Sequence, residues 1–255
     1  MANGFETGKQ PKRTDYRTLH LARYQTSLRP PPPDIHNESL IQAADWEMLG
    51  NDTVGDCTCA AAGHAEMLWR RLADEPARAP DVQGILGAYS AISGYKPGDQ
   101  ATDKGADLLS VLKYWRNTGI AGMKIQAFAE VAPSDEVLVK QAISLFGLAY
   151  VGLQLPCAAM PLKRAVVPFN TRRHWYDPAT WQNPFNGHCV IYAGYDADGP
   201  IAVTWGTTVA VSWQFHKAYC DELYAIIPPT DLAASLDEGK LDLNQLHSDL
   251  RQIAA

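Results

Sequence analysis

The sequence changes its pattern at Gly147, and this change constrains the fold more than any other feature of the chain. Before it, apolar residues recur at helical spacing. After it, short runs of β-branched and aromatic residues alternate with turn residues. Helices are predicted at about residues 57–73, 81–93, 105–118 and 134–146, and strands at 148–155, 189–195, 201–205, 223–227 and, as a short addition, 210–213. A helical half followed by a strand half predicts an α+β fold instead of alternating β-α-β units.

The N-terminal region differs from this central part. Residues 1–29 are polar and basic, and Pro30–Pro33 then form a stiff, extended spacer that favours neither helix nor sheet. We therefore expect a solvated extension ahead of the folded domain. The predicted organisation is an N-terminal extension at residues 1–38, a folded domain at 39–228 with a helical part at about 57–146 and a strand part at about 147–228, and a C-terminal tail at 229–255.

Two segments do not follow the alternation of helices and strands. Residues 156–187 are rich in Pro, Asn, Arg, His and Trp, which predicts a long irregular stretch. In the tail, Asp242 is followed three residues later by Gln245, a pattern typical of a helix start, and this predicts a short amphipathic helix through Ile253.

Charge and composition argue against several classes of protein. The 28 acidic residues outnumber the 22 basic ones, and a formal net charge of −6 argues against a nucleic-acid-binding domain. No run of about 18 apolar residues and no signal-like N-terminal stretch occurs, so we expect no membrane partner. The five cysteines are odd in number and lack the spacing of a disulfide framework, which predicts a reducing compartment, the cytoplasm by default. The sequence leaves the oligomeric state open.

Cys57 follows the loop Asn51-Asp52-Thr53-Val54-Gly55-Asp56 and opens an apolar helical run. The unpaired N–H groups and the positive end of a helix dipole stabilise an anion, so a cysteine at this position is favoured as a thiolate nucleophile. Asp56 acts in the opposite direction unless its side chain faces solvent. The alternative is an inert buried cysteine, because free cysteine behaves as a small apolar residue.

His188 is the best candidate for a base that works with Cys57. It starts the predicted strand that continues as Cys189-Val190-Ile191-Tyr192. A helix-start cysteine with a histidine far downstream is the arrangement used in Cys–His covalent catalysis. Alone, this histidine would be read as a satisfied core residue. His64 lies two helical turns from Cys57 and is predicted to be structural, and His174 is a weaker second candidate.

These residues and their neighbours resemble the papain-like cysteine peptidases, in a divergent form of bacterial or phage type. The resemblance spans roughly residues 45–228 and rests on four short segments. They are Asp45-Trp46, the loop from Asn51 to Gly55-Asp56-Cys57, His188-Cys189-Val190 followed by Gly194-Tyr195-Asp196, and Val203-Thr204-Trp205-Gly206.

The resemblance implies a two-lobed fold, with a helical N-terminal lobe, an antiparallel β-sheet or barrel as the C-terminal lobe, and a cleft between them. It also implies a cysteine peptidase or related hydrolase that acts on a peptide or amide substrate without a cofactor or metal. Cys57 would be the nucleophile, His188 the base, and Asn51 would stand where the family has the glutamine that stabilises the oxyanion. Asn51 is equally well explained as a turn residue.

The sequence departs from the family at the residue that orients the histidine. The family's asparagine aligns with Val203, which can neither donate nor accept a hydrogen bond. Strand side chains alternate, so Val203 is expected to share the face of Trp205 and to point toward His188, with Thr204 on the other face unless the register slips. Trp205 is interpreted as a core residue that can also cover the dyad. The sequence thus supports a dyad and not a triad.

Two other functions remain open at this point. Val203 favours a papain-like domain kept as a binding or structural module, and an amidase or acyltransferase would use the same dyad on another substrate. The extension is too short for the separately folded propeptide of papain-like zymogens. We therefore expect that it does not block the cleft and that its removal leaves activity unchanged.

Overall fold

The computed structural model describes residues 6–24, 30–156 and 182–233, together with Gln245, Ser248 and Asp249. The predicted tail helix, Cys157, His174 and most of the predicted irregular segment lie outside the described residues. The described end of that segment differs from the prediction, because residues from Gln182 onward already form a strand.

The predicted helices are present with nearly the predicted bounds. The helices of the described residues are α1 (Cys57–Leu72), α2 (Val82–Ser93), α3 (Leu108–Asn117), α4 (Glu136–Phe146), α5 (Trp213–Tyr219) and α6 (Thr230–Ala233). Aspartates at positions 81, 107 and 135 accept hydrogen bonds from first-turn N–H groups of α2, α3 and α4, which explains where these helices start. Left-handed Gly94 and Gly147 follow the last residues of α2 and α4.

The strands form one antiparallel sheet. They are β1 (Ile35–His36), β2 (Ala127–Val131), β3 (Ala149–Pro156), β4 (Gln182–Tyr195), β5 (Pro200–Thr204), β6 (Thr207–Ala210) and β7 (Cys220–Ile227). Their order is β2-β7-β3-β4-β5-β6, and β1 pairs with the end of β4. The α+β prediction is confirmed. Within the described strands the sheet is open and not a closed barrel, because β2 and β6 end the path without pairing with each other.

The sheet is buried on both faces. Tyr150, Ile191 and Val203 belong to one apolar cluster together with α1, α2 and α3. Their strand neighbours Val151 and Val190 belong to a second cluster with α4 and α5. This alternation follows from the two-residue period of a strand. Helix α4, which the sequence pattern grouped with the helical part, therefore packs on the far side of the sheet from α1.

The strands β1, β2 and β6 and the helices α5 and α6 were not predicted, and the longest of these are β2 and α5. Helix α5 has only seven residues and begins at the side chain of Ser212, which accepts a hydrogen bond from the N–H of Phe215. The strand expected at 210–213 is not formed, because Ala210 is the last residue of β6 and Trp213 is the first residue of α5. A segment this short gives too few periods to separate helix from strand. Strand β2 is buried almost throughout, so it lacks the alternation of buried and exposed side chains by which a strand is recognised in a sequence.

Strands β5 and β6 are joined by a two-residue hairpin turn made of Trp205 and Gly206. Both have positive φ, 46° and 69°, and Thr204 pairs with Thr207 across the turn. Positive φ at both central residues is typical of tight β-hairpins and is unusual for tryptophan. The strand alternation therefore ends at Thr204, which matters for the residues around His188.

Among the described residues, every helix is too short or too polar to cross a lipid bilayer.

His64 is structural, as predicted: its Nε2 lies 3.0 Å from the carbonyl oxygen of Glu47, and its ring packs edge-on against Trp46. Burial lowers the pKa of His64 to about 4 from its ordinary value of 6.5. Between about pH 4 and 6.5, this histidine therefore binds a proton in the unfolded chain but not in the folded chain. The histidine's contribution to stability is complete above pH 6.5 and is lost as the pH falls toward 4.

We expect the free energy of unfolding to decrease with acidification over this window, and the His64→Gln variant to have a shallower decrease. The difference in slope should reach about 1.4 kcal/mol per pH unit, the value for one proton. Urea unfolding at several pH values from 7 to 4 measures it. Equal slopes in the two proteins would show that His64 does not titrate in this way.

Candidate active site

Cys57 is the first residue of α1 and is almost fully buried, with 1% of its surface exposed. The loop before it is held by Asn51, whose side-chain amide donates a hydrogen bond to the carbonyl oxygen of Val54 at 3.0 Å. Asp56 stands at the N-cap without a side-chain capping bond, and its carboxyl group is buried. Burial raises the pKa of Asp56 well above its usual range, so this carboxyl group favours its neutral form.

His188 lies near the start of the described side chains of β4 and is 1% exposed. Its Nε2 is 2.6 Å from Oγ1 of Thr204, and its ring stacks on Trp205 with 4.1 Å between ring centroids. In the described part of the chain its other ring nitrogen, Nδ1, has no hydrogen-bond partner. The imidazole is thus fixed on one edge and one face, with a free nitrogen on the opposite edge.

The expected orientation of Val203 and Thr204 is reversed in the structure. Val203 pairs with Ile191 across the sheet, and both pack with Cys57 in the cluster on the α1 side. Directly paired residues share a face, so the register places Thr204 with Val190 and His188 on the other face. Trp205 reaches the histidine because it is in the turn and no longer follows strand alternation.

The cleft between the helical part and the sheet contains a segment of the chain itself, residues 6–10, here called the cleft segment. On the helical side, the N–H of Glu6 donates to the carbonyl of Asn51 at 3.0 Å, and Gly8 and Gln10 exchange hydrogen bonds with the backbone of Ala106 at 2.9 and 3.0 Å. On the sheet side, the N–H of Lys9 donates to the carbonyl of Gly187 at 2.9 Å.

The indole N–H of Trp205 donates to the carbonyl of Glu6 at 3.0 Å, so the residue that stacks on His188 also binds the cleft segment. A Cβ on Gly8 would lie 1.7 Å from the carbonyl oxygen of Gly55, and a Cβ on Gly105 would lie 1.8 Å from that of Gly8. The fit is therefore possible only with glycine at these two positions. The expectation that the extension stays clear of the cleft is wrong.

Burial in this closed arrangement controls the charge of both groups. Burial raises the pKa of Cys57 to about 12, and backbone hydrogen bonds from Cys189 and Gly8 oppose the shift only in part. Only an N–H group can stabilise the thiolate in this way, so the sulfur faces the N–H groups of Gly8 and of the residue after His188. Burial likewise lowers the pKa of His188 to about 3.

The expected thiolate is therefore absent from this arrangement at neutral pH. The free-energy cost of removing water from the thiolate exceeds the stabilisation that the helix N-terminus gives it. Since Nδ1 of His188 has no hydrogen-bond partner among the described groups, the thiol and the imidazole are not hydrogen bonded to each other in this structure. Cys57 and His188 thus each favour the neutral form in this structure.

Sequence reasoning missed the residues of the cleft segment, above all Gly8 and Lys9. Their only local signal is a glycine next to a lysine in a polar stretch, which is typical of a solvated arm. Within the described residues, no group of three or more His, Cys, Asp or Glu side chains is arranged to hold a metal ion.

Comparison with known proteins gives matches in structure and none in sequence. No protein-family model matches the chain, and no curated protein is similar to it in sequence. Its fold is similar to that of xylellain, a cysteine protease from Xylella fastidiosa, with a TM-score of 0.62, 15% identity, and 90% of this chain and 98% of that one covered.

Two further solved structures are similar over most of the chain. Procathepsin B S9 from Trypanosoma congolense has a TM-score of 0.56 at 10% identity and covers 88% of this chain and 87% of its own. Digestive procathepsin L 3 from Tenebrio molitor has a TM-score of 0.55 at 13% identity, with 89% and 77% covered. At such identities the likeness concerns the fold. The chain has the papain-like fold.

Proposed function

We propose that the chain is a cysteine-dependent hydrolase of peptide or amide bonds, with Cys57 as nucleophile and His188 as base. The observation that carries the proposal is the fixed imidazole of His188, the residue before the Cys189 N–H that the sulfur of Cys57 faces. Thr204 binds its Nε2, Trp205 covers its face, and Nδ1 is left free to receive a proton. The fold of this chain, shared with cysteine proteases, supports the same assignment.

In the proposed reaction, the sulfur of Cys57 attacks the carbonyl carbon of the substrate while its proton passes to Nδ1 of His188. The backbone N–H of Cys57 stabilises the oxyanion, and one well-placed donor of this kind contributes about 3–4 kcal/mol. The Asn51 amide joins it through the N–H that does not bind the carbonyl oxygen of Val54. The amine leaves with the proton from His188, and a thioester remains. Water then attacks the thioester, releases the acid and restores the thiol.

Thr204 takes over the orienting role that the sequence could not assign. If the Nε2–H donates to its hydroxyl oxygen, the lone pair of the imidazole is held on Nδ1, the nitrogen that the reaction needs. Thr204 is therefore a positioning residue and not a member of the reacting pair. Val203, by contrast, contributes apolar packing.

The cleft segment makes the described arrangement a resting state. The carbonyl oxygen of Gly8 in this segment accepts a hydrogen bond from the N–H of Ala106, and the N–H of Gly8 faces the sulfur of Cys57. To react, the sulfur of Cys57 must face a carbonyl carbon, and here it faces an N–H group. The segment therefore covers the nucleophile and is not positioned as a substrate. Catalysis requires the segment to leave, which would return water to Cys57 and lower its pKa.

A binding module is the second candidate, and the occupied cleft favours it, because burial under the cleft segment raises the pKa of Cys57 to about 12. A domain that only exchanges its own segment for another peptide would need no thiolate. An amidase or acyltransferase would share the chemistry of the first candidate and differ only in what binds the cleft or attacks the thioester.

Turnover of a fluorogenic peptide amide by protein lacking residues 1–10 tests the proposed function. We expect Cys57→Ala to abolish hydrolysis, and His188→Ala to lower kcat/KM by about 100-fold or more because general base catalysis is lost. Equal turnover by Cys57→Ala and the unsubstituted protein would disprove the assignment. Absence of turnover together with retained peptide binding would favour the binding module.

Removing residues 1–10 should also accelerate alkylation of Cys57 by iodoacetamide at pH 7. We expect a gain of about tenfold or more, the change in thiolate fraction for each unit by which the pKa falls. Peptide mapping separates Cys57 from Cys59, Cys157, Cys189 and Cys220. Lys12→Ala is the matched control, because Lys12 belongs to the same extension but pairs with Glu130, at 2.6 Å, outside the cleft.

An unchanged rate after removal would contradict the covering role of the segment. Equal labelling of all five cysteines in the folded protein would contradict the nucleophile assignment.

The role of Thr204 is tested by comparing Thr204→Val with Thr204→Ser. Valine keeps the shape and removes the hydroxyl, so it should lower kcat/KM and reduce the free energy of unfolding by about 1–3 kcal/mol, the cost of a buried group without its partner. Serine keeps the hydroxyl and should restore most of kcat/KM. If valine and serine have equal effects on kcat/KM, Thr204 does not orient His188.

A further inference from the structure

Lys9 of the cleft segment inserts its side chain into an acidic pocket in the sheet lobe. Its ammonium group is 2.8 Å from a carboxylate oxygen of Asp221 and 3.1 Å from one of Glu222. The side chains of Lys9 and Glu222 are fully buried, whereas that of Asp221 is 34% exposed. The two acidic residues lie at the start of β7, next to β3. We call this site the Lys9 pocket.

Glycines shape the Lys9 pocket and the path that leads into it. A Cβ on Gly152 would lie 2.4 Å from Cε of Lys9 and 2.6 Å from Cγ of Glu222. A Cβ on Gly187 would lie 2.1 Å from the backbone oxygen of Lys9. Any side chain at these positions of β3 and β4 would close the pocket. The pocket therefore has room for a long, thin side chain with a polar end.

The acidic groups of the Lys9 pocket determine which charge the end of the inserted side chain must carry. Burial raises the pKa of Glu222, and the nearby ammonium of Lys9 opposes this effect. Burial disfavours the charged form of Lys9, but the two carboxylates outweigh it and raise its pKa. A neutral apolar side chain would leave a buried carboxylate without a counter-charge, which is costly. A lysine or arginine side chain satisfies the pocket.

The backbone around Lys9 is also bound as a peptide ligand would be. The N–H of Lys9 donates to the carbonyl of Gly187 on the sheet side, and its neighbours Gly8 and Gln10 pair with Ala106 on the helical side. Backbone hydrogen bonds of this kind bind any extended peptide, and a side-chain pocket gives the preference among sequences.

We propose that the Lys9 pocket is a recognition site for a basic side chain of a peptide that binds in the cleft, and that Lys9 is its built-in occupant. The proposal rests on the proposed function only in taking the cleft as the place where substrate binds. Asp221 and Glu222 then determine specificity, and substrates compete with the chain's own lysine. The preferred ligand is a peptide in which lysine or arginine follows glycine, because only glycine fits beside Gly55.

The test uses the full-length Lys9→Glu protein, in which the two carboxylates repel residue 9 and the pocket is vacated. Faster alkylation of Cys57 reports that the segment has left. A dye-labelled hexapeptide that copies residues 6–11, Glu-Thr-Gly-Lys-Gln-Pro, and a version with methionine in place of lysine are then titrated, with fluorescence anisotropy as the readout. We expect the lysine peptide to bind about tenfold or more tightly than the methionine peptide.

This preference should disappear when Asp221→Asn and Glu222→Gln are added to Lys9→Glu. It should persist with Glu136→Gln, a matched control that removes a carboxylate paired with Lys140 on α4. If the doubly substituted pocket fails to fold, Asp221→Asn alone, at a partly exposed position, should reduce the preference. An arginine peptide should bind nearly as well as the lysine peptide.

Equal affinity for the lysine and methionine peptides, or no binding of either, overturns the proposal. So does a Lys9→Glu protein in which Cys57 stays as slow to alkylate as before, because the pocket would then not anchor the segment. The binding assay needs no turnover, so its result is separate from the proposed function. A protein that prefers the lysine peptide but hydrolyses no peptide supports the pocket and contradicts the hydrolase. A protein that hydrolyses peptides without this preference supports the hydrolase and contradicts the pocket.

Discussion

The packing of helix α1 against the sheet is the constraint on which the rest of the structure depends. Every residue of α1 from Cys57 to Trp69 is buried. Hydrogen bonds hold the helix near both ends. The Tyr150 hydroxyl of β3 donates to the carbonyl oxygen of Thr58, and the Trp69 indole donates to the carbonyl oxygen of Phe146, the last residue of α4. Because α1 cannot shift without breaking these contacts, its first residue is fixed beside Cys189 of β4.

The same burial sets the resting chemistry of the site. A thiol and an imidazole without water around them favour their neutral forms, and the cleft segment supplies the cover that excludes water. The cover is held by backbone hydrogen bonds to both sides of the cleft and by the ion pairs of Lys9. One displacement would therefore do two things, opening the cleft to a peptide and hydrating Cys57. In the proposed function, recognition and activation would thus be coupled through the same five residues.

Much of the fold could be predicted from the sequence because it is encoded in local patterns. Apolar spacing, aspartate caps and the glycine after α4 are short-range signals, and α1 to α4 follow them closely. The loop that ends at Cys57 and the motif at His188 are also local. The short helix α5 and the buried strand β2 escaped prediction, because seven or fewer residues without alternation carry too little periodic signal.

The sequence by itself therefore determined the α+β class, the helix-start position of Cys57 and the resemblance that pairs it with His188. Tertiary structure decided the rest. Which of Val203 and Thr204 meets the histidine depends on the register of β4 with β5 and on the turn at Trp205, and no local pattern fixes a register between distant strands. The position of Lys9 in a pocket of β7, more than two hundred residues away, depends on buried charges that meet only in the folded chain.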